Sequence, residues 1–216
     1  FKHIGDVPLK KFFFWIAPLF AFTFVGSVMA VEEPKYSVLE NAPPFELRSY
    51  APMILAQVQV EGDLDEASSQ GFRLIAAYIF GQNQVNEKVA MTAPVTMEGQ
   101  SIKNQKIAMT APVNIEKEGG SWTVSFVMPA QYTVDTLPKP LNPQVIIKSI
   151  PASKKAVITF SGFYDIDKVG QKTKALEEWM SSKNLHPISA PTFARYNPPW
   201  TLPFMRRNEI LIDVRD

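Results

Sequence analysis

The sequence predicts an α+β domain in which an antiparallel sheet curls toward a barrel and two helices pack against it. Three observations predict it. Residues 64–80 and 165–182 each place apolar side chains at helical spacing. Short runs with strand patterning flank both helical stretches. The order strand, strand, helix, strand, strand is read in each half, so the domain reads as two pseudo-twofold ββαββ units sharing one core.

The elements follow in order. Phe45-Glu46-Leu47-Arg48-Ser49-Tyr50 alternates apolar and polar residues and reads as a half-buried strand. After Ala51-Pro52, Met53 to Val60 reads as the next strand. Asp63 stands three residues before Glu66, where a carboxylate can accept the free amides of a helix start. Leu64, Ala67, Gly71, Phe72, Ile75, Tyr78 and Ile79 then carry the first helix, which Gly81 ends. In the second half, Val145-Ile146-Ile147 and Ala156 to Phe160 are strands. Asp165 to Ser182 is a helix, and Phe193 to Tyr196 and Glu209 to Val214 are strands.

A local repeat stands between the halves. Lys88-Val89-Ala90-Met91-Thr92-Ala93-Pro94-Val95 recurs as Lys106-Ile107-Ala108-Met109-Thr110-Ala111-Pro112-Val113, with seven of eight positions identical. Each copy reads as a short strand ending at its proline, which cannot donate to a further ladder bond. The two copies either line one face of the barrel or set paired methionines in a ligand cleft, where a flexible thioether suits a flat ligand.

The amino-terminal segment differs from the rest. Lys10 and Lys11 precede an uncharged stretch from Phe12 to Val31, and Val28-Met29-Ala30 offers small or short residues where a signal peptidase reads. This is the order of a signal peptide, with cleavage expected after Ala30 and export to a bacterial periplasm. The alternative is an uncleaved anchor over residues 12–31, since about 20 apolar residues can span a bilayer. Residues 31–216 then form a single domain.

Composition narrows the chemistry. The 216 residues are 46% hydrophobic and 20% charged, with 22 Lys+Arg against 21 Asp+Glu. No basic excess points to nucleic acid, and Lys154-Lys155 and Arg206-Arg207 are too short to make a nucleic-acid footprint. Cysteine is absent, which excludes disulfides, thiolate metal sites and cysteine nucleophiles. The two histidines, His3 and His186, are too few for a histidine-built metal cluster. The sequence contains no Gly-x-Ser-x-Gly elbow, phosphate loop, dinucleotide fingerprint or His-Glu-x-x-His. Asp63-Leu64-Asp65 and Asp165-Ile166-Asp167 each open a helix and are read as caps. The balance favours a monomeric binding protein over an enzyme.

The repeated Lys-(Val/Ile)-Ala-Met-Thr-Ala-Pro-Val resembles the signature of the SOUL haem-binding protein family. Phe45 to Tyr50, Gly71 to Asn83 and Trp122 to Pro129 resemble the family's early strand, first helix and mid-chain strand. Ala194-Arg195-Tyr196-Asn197-Pro198-Pro199-Trp200-Thr201-Leu202-Pro203-Phe204 and Arg206 to Ile210 are similar to its carboxy-terminal block. The resemblance runs over roughly residues 35–214. It implies a distorted antiparallel β-barrel with two flanking helices. It also implies haem or another tetrapyrrole in a shallow apolar groove by the first helix.

Such a site needs apolar walls, cations for two propionates and often an axial ligand. The wall candidates are Phe72, Ile75, Tyr78, Ile79, Met91, Met109, Trp200 and Phe204. The cations are Arg73, Lys88, Arg195, Arg206 and Arg207, with Arg73 first because it sits on the helix. No histidine lies near that helix, and His186, just before Pro187, reads as a solvated turn and a weak axial candidate. Haem is therefore expected without a strong protein-supplied axial bond. The other reading is a small-molecule sensor or scaffold of the same fold that binds no haem. The loop Pro198 to Phe204 is expected either to cover one open end of the barrel or to form a lip or docking surface.

Overall fold

A computed structural model describes residues 31–85 and 103–215. Its strands are β1 (Tyr36–Ala42), β2 (Phe45–Tyr50), β3 (Met53–Val60), β4 (Asn83–Gln84), β5 (Val113–Glu118), β6 (Ser121–Val127), β7 (Lys139–Pro140), β8 (Ile146–Ile150), β9 (Ser153–Phe160), β10 (Thr192–Arg195) and β11 (Asn208–Val214). The helices are α1 (Leu64–Ile79) and α2 (Ile166–Ser182). Nine strands form one antiparallel sheet in the order β1-β2-β9-β11-β10-β5-β6-β3-β8, and β4 pairs with β7 separately.

The duplication is written into that order. Exchanging β2 with β8, β3 with β9, β5 with β10 and β6 with β11 reverses the sheet onto itself, with β1 left over as an added edge strand. The helices obey the same exchange, since α1 packs on β3 and β6 while α2 packs on β9 and β11. The local twofold therefore passes between β5 and β10, the two strands that lie between the helices. The sheet curls into a half-barrel whose edges are β1 and β8.

Both helices start as their sequences dictate. The Asp63 carboxylate accepts from the amides of Asp65 and Glu66, each at 2.9 Å. Asp165 accepts from Lys168 N at 2.7 Å at the start of α2. At the end of α1 the chain turns through Gly81, whose φ of +120° lies in a region that glycine enters without a Cβ penalty. Gly71 serves a different purpose. A Cβ there would stand 2.5 Å from Cβ of Val124, so its bare backbone lets α1 lie directly on β6.

Alternation then sorts the sheet into two faces. Ala56, Val58, Val124, Phe126, Ile158, Ile210 and Ile212 point to the helices and join Ile75, Ile79, Leu176 and Met180 in one core. Tyr50, Val157, Ala194 and Leu211 form a second, smaller cluster apart from that core. The two-residue period of strands makes this division unavoidable once the helices cover one face.

One expectation is corrected here. The second repeat copy, Lys106 to Val113, is not a strand ending at proline: its regular pairing begins only at Val113, after Pro112. The amide of Ile107 is committed to Ile79 O at 2.8 Å, the Thr110 hydroxyl donates to Val127 O, and Pro112 has no N–H to give. The strands that follow α1 in the first unit are accordingly β5 and β6. The first repeat copy, with Lys88 and Met91, lies outside the described residues.

Candidate functional site

β5 and β10 form the strand pair between the helices. Phe193 stands opposite Ile115 and Arg195 opposite Val113 in the β10–β5 register. Phe193 and Ile115 are buried in the core that both helices share. Arg195 is the polar residue of these four. Its Nη1 donates to Ser68 Oγ of α1 at 2.8 Å, and its guanidinium lies 4.5 Å from the centre of the Tyr164 ring, just before α2. One side chain thus ties the two halves together at their symmetry axis.

The α1 wall divides the predicted site residues. Ile75 and Ile79 are 0% exposed and belong to the core, so they are not groove surface. The reason is helical phase, because both share the buried stripe with Ala67 and Gly71. Tyr78 is buried too. Its hydroxyl donates to Pro138 O at 2.7 Å, and burial pushes its pKa up. Phe72 is 38% exposed, with its ring tilted against Phe126 at 5.6 Å, and Arg73 beside it is exposed. Met109 is 40% exposed, two residues beyond the bond between Ile107 and Ile79.

The loop between β10 and β11 holds two of the predicted wall residues out in solvent. Trp200 is 82% exposed and Phe204 is 73% exposed. Arg206 is used within this loop rather than offered to a propionate. It donates to Thr201 O at 2.8 Å and to Pro199 O at 2.5 Å, and it lies over the Phe163 ring at 5.2 Å. His186 is exposed beyond α2, where its carbonyl accepts from Arg215 N. No group of three His, Cys, Asp or Glu able to hold a metal occurs among the described residues.

Two features were not foreseen. One is a cleft of about 340 Å³ at the start of β3, walled by Met53, Ile54, Val127, Met128, Pro129 and Tyr132, with Glu32, Lys35, Thr133 and Ser149 at its polar edge. The other is a buried ionic network on the sheet face away from the helices. Arg48 donates to both carboxylate oxygens of Glu209, at 2.9 and 3.0 Å. Glu209 also accepts from Tyr196 at 2.6 Å, Arg207 at 3.0 Å and Thr159 at 3.2 Å. Burial alone would raise the Glu209 carboxyl, but the hydrogen bonds and charge of Arg48, with Tyr196 and Arg207, hold it below the usual range. The sequence signal was two opposite charges inside strands, at positions that alternation assigns to the same face.

Together these features define a duplicated α+β half-barrel with two helices packed on one face. The SOUL heme-binding protein family model matches residues 31–103 and 97–213. The chain belongs to that family. It is 30% identical over 153 residues to human Heme-binding protein 2, a match covering 66% of each chain. It is 27% identical over 192 residues to the mouse protein of that name, covering 84% of this chain and 85% of the other. Among solved structures, the EcmrR C-terminal domain is similar at a TM-score of 0.55 and 12% identity, covering 84% of this chain and 98% of that one. A hydrolase from Listeria innocua is similar at 0.52 and 13%, covering 79% and 91%. These two likenesses concern the fold alone.

Proposed function

We propose that this protein binds haem or a related tetrapyrrole as a monomeric carrier or buffer, without turnover, against the outer side of α1. The observation that carries the reading is the exposed Phe72 with Arg73 next to it on the helix of a SOUL-family chain. Phe72 offers an apolar surface to a flat ring, and Arg73 offers a cation to a propionate. Met109 adds a further exposed apolar side chain, and Met91 of the first repeat copy, outside the described residues, belongs to the proposal through its motif alone. The relatives named Heme-binding protein 2 support the same ligand class. No histidine accompanies Phe72 and Arg73 on α1, so binding rests on apolar contact and charge rather than on a strong axial bond. With it we propose export through residues 1–30, supported by the two lysines, the apolar run and the Val-Met-Ala end.

The second reading is a sensor or scaffold for another small molecule, and the 340 Å³ cleft favours it. Titration of haemin into the full chain, followed at the Soret band, separates the two. Saturable one-to-one binding that weakens in Phe72→Ala/Arg73→Ala, with unchanged thermal unfolding, supports the haem reading. Absence of saturable binding, or saturable binding indifferent to both substitutions, overturns the α1 assignment. Amino-terminal sequencing of the protein recovered from cells tests the leader: a first residue of Val31 supports cleavage, and an intact leader refutes it.

A further inference from the structure

The β10–β11 loop presents an apolar tip. Trp200, Leu202, Phe204 and Met205 are exposed, and Phe163 and Ile166 are exposed at the start of α2. The two segments are joined: Gly162 N donates to Pro203 O at 2.9 Å, and Asn208 Nδ2 donates to Gly162 O at 3.1 Å. Six large apolar side chains thus belong to one braced surface. Single exposed apolar residues need no explanation, but a contiguous group marks an interaction site.

The backbone beneath the tip tells which partner fits. Pro198, Pro199 and Pro203 have no N–H. Thr201 N donates to Pro198 O, Met205 N to Leu202 O and Arg206 N to Pro203 O. The Arg206 guanidinium takes up the carbonyls of Thr201 and Pro199. The carbonyls of Pro198, Pro199, Thr201, Leu202 and Pro203 are therefore engaged within the loop itself. Each carbonyl so engaged lowers the cost of moving the loop out of bulk water, since a bare polar group is expensive to bury. A protein partner does not require this engagement, since a partner supplies its own donors and acceptors.

Charge around the tip agrees. Arg206 lies over Phe163, Lys168 reaches Ser161 O at 3.2 Å, and Lys172 lies over the Phe160 ring. Asp165 and Asp167 stand nearby, and Asp165 is engaged in capping α2. These cations flank the apolar tip, and cations beside an apolar loop favour a surface of anionic phosphate head groups. Trp is also the side chain enriched at that interface.

We propose that the loop carrying Trp200 and Phe204 inserts into the interfacial zone of a phospholipid bilayer and docks the protein on a lipid surface. The inference does not depend on haem binding, and its test contains no haem.

The test uses the full chain with vesicles of mixed zwitterionic and anionic phospholipid whose acyl chains carry bromine. The protein has four tryptophans, and the difference between the parent and Trp200→Phe isolates the emission of Trp200. Insertion predicts that this difference emission shifts to the blue and is quenched by the brominated chains. Leu202→Ser/Phe204→Ser, both on the surface and so without effect on the fold, should weaken Trp200 quenching on the order of a hundredfold in lipid concentration. Cosedimentation with vesicles while Trp200 stays unquenched would show that another part of the chain holds the membrane, and would overturn the proposal. So would burial of Trp200 that depends on protein concentration without vesicles, which assigns the tip to a second copy.

Discussion

Arg48 and Glu209 stand on strands that do not touch, yet their side chains form a two-pronged ion pair over the strand between them. β9 separates β2 from β11 in the sheet, and Thr159 of β9 donates to the same carboxylate. Three strands, contributed by both halves of the duplication, are thereby locked on the face opposite the helices. The guanidinium also lies over the Tyr36 ring at 4.4 Å, which draws the edge strand β1 into the same network.

Breaking this pair from one side should be costly. Arg48→Ala leaves a 0%-exposed carboxylate without its main partner, and Arg207 and Tyr196 replace only part of it. The expected loss is about 3–5 kcal/mol, read from urea unfolding. Removing both charges with Arg48→Met/Glu209→Leu should recover a good part of that loss, because no buried charge then remains unpaired. Equal losses in the single and double variants would refute the account.

The same carboxylate makes stability depend on acid. Glu209 has its pKa lowered in the folded protein from an ordinary value of 4.5. The unfolded chain therefore binds its proton first, so the stabilisation is complete above pH 4.5. It is lost as pH falls through the lowered folded value. Urea midpoints measured from neutral pH downward should fall below that point, and Glu209→Gln should flatten the fall. Tyr50 acts at the other end. Burial raises its hydroxyl from 10.0 to about 12, so its contribution is present below pH 10 and is lost as pH rises toward 12.

At Gly71 two effects oppose each other. Alanine is the better helix former by up to about 1 kcal/mol. Its Cβ would meet Val124 Cβ and Cγ2 at 2.5 Å, and Val124 is wholly buried. Overpacking of this kind costs about 1–3 kcal/mol, so Gly71→Ala should destabilise on balance. The melting temperature should drop by about 2–4 °C for each kcal/mol lost. Adding Val124→Ala to Gly71→Ala should cost less than Val124→Ala costs alone, since the new methyl group fills the vacated space. A Gly71→Ala variant more stable than the parent would refute the close approach.

Periodicity made most of this fold legible. Phe45–Tyr50 and Met53–Val60 were readable as strands because their alternation is strong, and both helices because their apolar stripes are capped by Asp63 and Asp165. β1 was not readable. Its residues are mostly exposed and its register slips between Val38 and Glu40, so no alternating face survives. β5 was hidden by the repeat before it, whose identity drew the strand to the residues leading up to Pro112 although pairing starts only at Val113. At the site, helical spacing could not tell the buried stripe of Ile75 and Ile79 from the exposed edge of Phe72. That distinction needs the position of the sheet. The roles of Arg195 and Arg206 also depend on contacts between segments that sequence spacing does not reveal.

Arg206 gives the last prediction. Its planar fork serves two carbonyls at once, those of Thr201 and Pro199, and lysine cannot reproduce that geometry with one ammonium group. Arg206→Ala and Arg206→Lys should both loosen the loop from Pro198 to Met205 while leaving the sheet intact. Hydrogen exchange at Thr201 and Met205, whose amides donate within the loop, should quicken in both variants. Amides of β9 and β11 should keep their parent rates, and global stability should change by less than about 1 kcal/mol, since these bonds lie outside the core. Unchanged exchange at Thr201 and Met205 would mean that the prolines alone hold the tip, and that Arg206 is free for another partner.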